Sequence, residues 1–83
     1  MIVELIERFV EDGKRTNQPV NVHFRNRATI TGVFIVGHDY SEMKKKNFWR
    51  IVPKSKLAEW SHSKDASLSR LFNGNEFSRL TEG

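Results

Sequence analysis

The chain has 83 residues, a net charge of +4 and no cysteine. A single domain of this size leaves a monomer only marginally stable, so oligomerisation is an expectation. The lack of cysteine excludes a disulfide framework and a thiolate metal site, and it favours a reducing compartment. The longest apolar run, Val33 to Val36, is too short to cross a bilayer, and the acidic N-terminal segment is unlike a signal peptide. We therefore expect a cytoplasmic protein without a membrane partner.

The first predicted element is an amphipathic helix at the N-terminus, within residues 1–15. Between Ile2 and Asp12 the apolar residues fall in one arc of the helical wheel, and every charged residue lies outside that arc. The polar face is acidic, so an anionic membrane surface would repel it. We expect the helix to pack across an open end of a barrel.

A β-hairpin is predicted next. Residues 20–24 alternate apolar and polar side chains, which is the period of a half-buried strand. After a polar turn at 25–27, residues 28–36 are rich in β-branched side chains. Gly32 lies inside this second strand, where a glycine marks a bend, a bulge or a close backbone approach. Beyond Gly32 both faces of the strand are apolar, as expected in a small, strongly curved barrel.

The rest of the chain predicts shorter elements. The pattern indicates a loop at 37–41, a strand or basic loop at 42–47, a strand at 48–52, a short turn at 54–56 and a last short strand at 57–60. Residues 63–72 predict a short C-terminal helix, and residues 75–83 form either a tail or an extra edge segment. The expected organisation is a single domain, with barrel strands at 19–60 and a C-terminal extension at 61–83.

The positive charge is concentrated in one segment. Residues 44–56 carry +6 without an acidic residue, whereas residues 1–12 carry −3. A lysine run is as often a solvated face as a ligand site, but Phe48 and Trp49 lie inside this one. Cations interleaved with aromatic rings are typical of nucleic-acid-binding surfaces. The segment therefore favours a nucleic-acid partner.

The order of elements and one motif resemble the Sm-like family, whose small bent barrels assemble into rings and bind single-stranded RNA. The motif residues, in the family's order, are Val22, Phe24, Asn26, Gly32, Asp39 and Met43. The chain departs from the pattern at Arg27, where the family has Gly, and at Lys44, where it has Asn. The family's second motif is represented only by residues 53–56. The chain thus resembles a divergent member, such as the Sm-like proteins of bacteria or phage.

The resemblance implies a fold and a set of partners. The fold is mainly β with an N-terminal α-helix: a small, strongly bent, five-stranded open barrel of the SH3-like type. The implied partners are single-stranded RNA and further copies of the chain, in a homo-oligomeric ring of about five to seven protomers. No cofactor is implied.

The resemblance also assigns RNA-binding residues by position. Tyr40 is the implied platform for base stacking, and His38 or Asp39 is the implied group that hydrogen-bonds the base. Phosphate contacts are implied for the cations Lys44, Lys54 and Lys56. Structural alternatives stand beside these roles, because Tyr40 could be a barrel-edge residue with a solvated hydroxyl, His38 could close the loop, and Asp39 could bond nearby backbone N–H groups.

Two other classes of function compete with RNA binding as interpretations of the sequence. The three histidines lack metal-ligand spacing, and the chain has neither a Gly-rich phosphate loop nor a cysteine nucleophile, so we do not expect an enzyme. The stronger rival is an SH3-like barrel that acts as a protein-interaction or structural module without nucleic acid. Trp49 and Trp60 are expected in the core or at a subunit interface under either hypothesis.

Overall fold

The computed structural model describes all 83 residues, and its framework is a five-stranded antiparallel sheet. The strands are β1 (Pro19–Phe24), β2 (Ile30–Phe34), β3 (Phe48–Pro53), β4 (Arg70–Asn73) and β5 (Phe77–Glu82). The helices are α1 (Val3–Glu7), which continues as a π-helical segment (Arg8–Asp12), α2 (Tyr40–Lys45) and α3 (Leu57–Ser63). Single 3₁₀ turns lie at Lys54–Lys56, Ala66–Leu68 and Gly74–Glu76. None of the helices has both the length and the apolar character that a bilayer crossing requires.

The sheet is strongly curled. Its strand order is β4-β3-β2-β1-β5, so two strands separate β4 from β1. In a flat sheet those two strands would lie about 14 Å apart, at a spacing of about 4.8 Å per strand. Nevertheless the ring centroids of Phe72 on β4 and Phe24 on β1 are 5.8 Å apart. The two edge strands, β4 and β5, are also joined by the three-residue turn Gly74–Glu76, so the sheet folds back towards itself.

Gly32 permits a close backbone approach in the middle of this sheet. It pairs with Val20 on one side and with Pro53 on the other. A Cβ at this position would lie 2.5 Å from the carbonyl oxygen of Val52 and 2.7 Å from Cγ2 of Ile51. The glycine inside the predicted strand therefore has a packing reason, which is one of the roles expected from its position.

The main core fills the concave side of the sheet and is closed by the N-terminal helix. Ile6 and Val10 from the helix are fully buried against residues of all five strands. The predicted amphipathic helix, the hairpin and the strand at 48–52 are confirmed. A second, smaller cluster lies on the outer face, where Val33, Ile35 and Val52 are covered by α3. The predicted burial on both faces of β2 is thus also confirmed.

Two parts of the chain differ from the prediction. Residues 40–45 form α2 instead of the predicted loop at 37–41 and strand or basic loop at 42–47, because Tyr40 and Lys44, one helical turn apart, both bond Glu11 of the N-terminal helix. The C-terminal third differs as well. Residues 57–60 form the start of α3 rather than a strand, because Leu57 and Trp60, one helical turn apart, pack together on the outer cluster. Residues 63–72 do not form a helix, since Lys64 takes a left-handed conformation that ends α3 and residues 70–73 pair with β3. Residues 75–83 supply β5, so the segment predicted as an extension contributes two of the five strands.

Asn47 joins three separate parts of the chain. It has a left-handed backbone conformation, with φ of 62°, and is 6% exposed. Its side-chain amide donates to the carbonyl oxygen of Met1 and to Oδ1 of Asn75, and its Oδ1 accepts from the indole N–H of Trp49 at 2.8 Å. Its backbone carbonyl accepts from the N–H of Gly74 at 2.7 Å. The residue therefore links the segment between β2 and β3 to the N-terminus and to the β4–β5 turn.

Candidate functional site

Asp39, one of the predicted RNA-binding residues, forms an ion pair at the start of α2. Its two carboxylate oxygens accept from Nε of Arg50 at 3.1 Å and from Nη2 at 2.7 Å. The guanidinium lowers the pKa of Asp39 below its usual range and the carboxylate raises that of Arg50. Such a two-point contact fixes both groups and occupies the carboxylate oxygens. The carboxylate thus bonds a side chain from β3 and does not cap α2, so the alternative of bonds to nearby backbone N–H groups is not observed.

Tyr40 and Lys44 are held by acidic residues of the N-terminal helix. The Tyr40 hydroxyl donates to Oε2 of Glu11 at 2.5 Å, and the Lys44 ammonium lies 2.6 Å from Glu7 and 2.9 Å from Glu11. Burial, and then the bond to Glu11, raises the pKa of Tyr40. The Tyr40 ring also packs edge-on against Trp49, with centroids 6.0 Å apart. Both side chains therefore connect α2 to the N-terminal helix.

We expect the Glu11→Gln variant to lose part of the acid sensitivity of the wild type. The Tyr40 hydroxyl and then the Lys44 ammonium lower the pKa of Glu11. A carboxyl of this kind stabilises the fold above its unfolded pKa of about 4.3, and that stabilisation is lost as pH falls through the lower folded pKa. Urea unfolding at neutral and acid pH measures the difference. Glu4→Gln removes an exposed carboxylate without an ion pair and is the control; equal acid sensitivity of both variants would contradict the expectation.

His38 lies beside a concave surface on the outer side of the molecule. An open groove of about 360 Å³ runs between the end of β2 and α3. Val36, His38, Trp60 and Lys64 are among the residues that line it, and Val36 is 60% exposed. The Lys64 ammonium is 4.0 Å from the centroid of the Trp60 ring. An indole, an ammonium and an imidazole around an apolar floor can contact a nucleobase and a phosphate together.

Lys54 and Lys56 lie away from the other predicted residues. They belong to the 3₁₀ turn that follows β3, whereas α2 immediately precedes β3. The length of β3 separates them, about 20 Å for six residues in extended conformation. Both lysines are exposed, and neither forms an ion pair. The six predicted residues therefore occupy three places: the α2 contacts, the His38 groove and the turn after β3.

Of these three places, the His38 groove is the candidate binding site, because it is concave and carries a half-buried indole beside an exposed ammonium group. No family model, no curated protein and no solved structure matches the chain. No group of three or more histidine, aspartate or glutamate side chains is placed to hold a metal ion.

Two residues of the groove were not predicted as ligand contacts. Trp60 was expected in the core or at an interface, and it is instead half-buried, with the outer cluster beneath it. Lys64 was not singled out. The signal that could have found the pair is its i,i+4 spacing, which brings two side chains together only on a helix. Because residues 57–60 were predicted as a strand, the i,i+4 spacing of Trp60 and Lys64 did not indicate a contact between them.

Proposed function

We propose that this protein is an Sm-like protein that forms a homo-oligomeric ring and binds single-stranded RNA. The observation that carries the proposal is the pair of open edges, since β4 and β5 each pair with one neighbour only. An edge strand presents unpaired backbone groups that accept a further strand. Pairing β4 of one protomer with β5 of the next is a head-to-tail contact, which repeats around an axis until it closes. The curled sheet under an N-terminal helix supports the same proposal.

Exposed cations without acidic partners support RNA as the ligand. Lys54 and Lys56 are free to contact phosphates, and the His38 groove adds the Trp60 ring and the Lys64 ammonium. Ammonium groups that neutralise phosphates release counterions, and an aromatic face accepts any base. The predicted roles of Asp39, Tyr40 and Lys44 require that RNA compete with their contacts inside the protein.

Light scattering after size exclusion tests the ring. We expect a mass several times the 9.7 kDa of the monomer. Leu71 is 44% exposed on the edge strand β4, and a charge there opposes strand addition. Leu71→Lys should therefore lower the mass, whereas Val36→Lys, an equally drastic change away from either edge, should not. A wild-type mass of 9.7 kDa would exclude the ring.

Titration of labelled uridine-rich and adenine-rich oligomers at two salt concentrations tests RNA binding. We expect affinity to fall steeply with salt, and Lys54→Ala/Lys56→Ala to make the slope of log K against log salt shallower by about 1.4, because each lost phosphate contact removes about 0.7. Arg8→Ala/Lys14→Ala removes two exposed, unpaired cations outside the 44–56 segment and is the control. Absence of binding even at low salt would refute the RNA proposal.

The open edges favour a second candidate function, a protein-interaction module. Phe48 on β3 and Leu71 on β4 are large apolar residues that are exposed near the β4 edge of the sheet. A strand from a partner protein could pair with β4 and cover them. A wild-type protein that is monomeric and binds no RNA would favour this candidate over the RNA-binding ring.

A further inference from the structure

Three arginines lie on chain segments that border the gap between the two edges of the sheet. Arg25 and Arg27 belong to the turn between β1 and β2, and Arg70 is the first residue of β4. All three are exposed, and none takes part in the four ion pairs of the protein. The charge pattern of the sequence indicated residues 44–56 as the cationic surface, and these three arginines were not predicted as a ligand site.

Aromatic rings hold two of these guanidinium groups in place. Cζ of Arg27 lies 4.4 Å from the ring centroid of Phe24 and 5.3 Å from that of Phe72. Cζ of Arg70 lies 5.7 Å from the same Phe72 centroid. The two rings are in mutual contact and are almost fully buried. The arginines therefore cover one aromatic pair from the solvent side.

The N–H donors of these arginines remain available. Stacking uses the flat face of a guanidinium and leaves its edge N–H groups free, and none of the three side chains donates a hydrogen bond within the protein. A planar group whose orientation is already fixed loses less conformational entropy when it binds a phosphate in a two-point contact. Arg27 and Arg70 both contact the ring of Phe72, so their like charges repel each other, and an anion relieves that repulsion.

The β1–β2 turn, which carries Arg25 and Arg27, is hydrogen-bonded to the β4–β5 turn. The backbone N–H of Arg25 donates to the carbonyl oxygen of Glu76 at 3.1 Å, which joins the β1–β2 turn to the β4–β5 turn. A small hollow between the turns is lined by Phe24, Asn26, Arg27 and Glu76. Glu76 is the acidic residue of this hollow, and it forms no ion pair with the arginines.

We propose that Arg25, Arg27 and Arg70 bind consecutive backbone phosphates of single-stranded RNA, at a surface separate from the His38 groove. This inference rests on the proposed function, because it names a second contact surface for the same ligand. A series of exposed guanidinium groups, two of them held against aromatic rings, fits the repeated phosphates of a strand. In a ring each protomer would supply one such cluster, so a strand could contact several clusters in turn.

The test is titration of labelled single-stranded oligouridine against the full chain at several salt concentrations. We expect Arg27→Gln/Arg70→Gln to weaken binding at low salt and to make the slope of log K against log salt shallower by about 1.4. Arg27→Lys/Arg70→Lys keeps the charges but loses the stacked planar groups, so its slope should stay near the wild-type value while its affinity falls. Glu76→Gln should increase affinity. Arg8→Gln/Lys14→Gln, which removes two exposed and unpaired cations outside the 44–56 segment, is the charge-matched control.

The outcomes separate this inference from the proposed function. A wild-type protein that binds no RNA refutes the proposed function, and this inference with it. A wild-type protein that binds RNA, with a slope unchanged in Arg27→Gln/Arg70→Gln, overturns the inference alone. If that double variant does not fold, Arg25→Gln is measured instead, because Arg25 contacts no aromatic ring. A slope of log K against log salt that is shallower by about 0.7 supports the inference, and an unchanged slope overturns it.

Discussion

Replacing Gly32 by valine is expected to lower the free energy of unfolding by about 3 kcal/mol, at the upper end of the cost of overpacking a core. The new Cβ would meet the carbonyl oxygen of Val52 at 2.5 Å and Cγ2 of Ile51 at 2.7 Å. The first of these atoms belongs to the backbone of β3, so relief requires that β2 and β3 move apart. Gly32 lies in the middle of the sheet, and that movement would disturb the pairing on both of its sides. Urea denaturation measures the change.

Gly37→Ala is the matched control for this substitution. A Cβ at Gly37 would meet its nearest neighbour, Oδ1 of Asp39, at 3.4 Å, which is ordinary van der Waals contact. We therefore expect an unfolding free energy within about 0.5 kcal/mol of the wild type. Equal stability of the Gly32→Val and Gly37→Ala variants would contradict the close approach of β2 and β3.

Replacing Asn47 by alanine is expected to cost about 3 kcal/mol. The change removes three side-chain hydrogen bonds and leaves the buried indole N–H of Trp49 without an acceptor, which costs about 1–3 kcal/mol. A further cost of about 1 kcal/mol arises because alanine must adopt the left-handed conformation at φ of 62°. Urea denaturation followed by tryptophan fluorescence, in a Trp60→Phe background that leaves Trp49 as the sole indole, measures both the stability and the environment of that indole.

Two companion variants separate the causes of this loss. Asn47→Gly removes the same hydrogen bonds but tolerates the backbone conformation, so it should be about 1 kcal/mol more stable than Asn47→Ala. Asn17→Ala places alanine at another left-handed position, with φ of 66°, where the side chain is exposed and makes no hydrogen bond. Asn17→Ala should therefore lower the free energy of unfolding only by the cost of placing alanine in the left-handed backbone conformation. If Asn47→Ala were no worse than Asn17→Ala, the hydrogen bonds of Asn47 would contribute nothing to stability.

The N-terminal helix, the hairpin and β3 could be predicted because their signals are local. The alternation from Val20 to Phe24 and the β-branched run around Gly32 indicate strands without reference to distant residues. The helix α2 and the segment after β3 were not predicted correctly, because their local signals are ambiguous. Leu68, Leu71 and Phe72 have helical spacing, yet Leu71 and Phe72 lie on β4, since pairing with Arg50 and Trp49 on β3 decides their conformation. Tertiary context overrides local propensity there.

The candidate site was predicted less completely than the fold, for a related reason. Positions in a motif indicate which side chains lie in a loop, but not which residues face them. Glu11 bonds the hydroxyl of Tyr40, and Arg50 bonds the carboxylate of Asp39, from 29 and 11 residues away in the chain. The contact of Arg27, in the β1–β2 turn, with Phe72 on β4 likewise requires that the sheet curl. Contacts that exist only after the chain has folded have no local sequence signal.

The position of β5 has a consequence for how the protein folds. The last strand of the chain pairs with the first, so that Val20 lies opposite Glu82 and Val22 opposite Leu80. Contacts between residues so distant in the chain must overcome a large loop-closure entropy before they stabilise the fold, which places folding on the millisecond-to-second timescale typical of such β topologies. During synthesis, one side of β1 therefore stays unpaired until the last residues of β5 have left the ribosome.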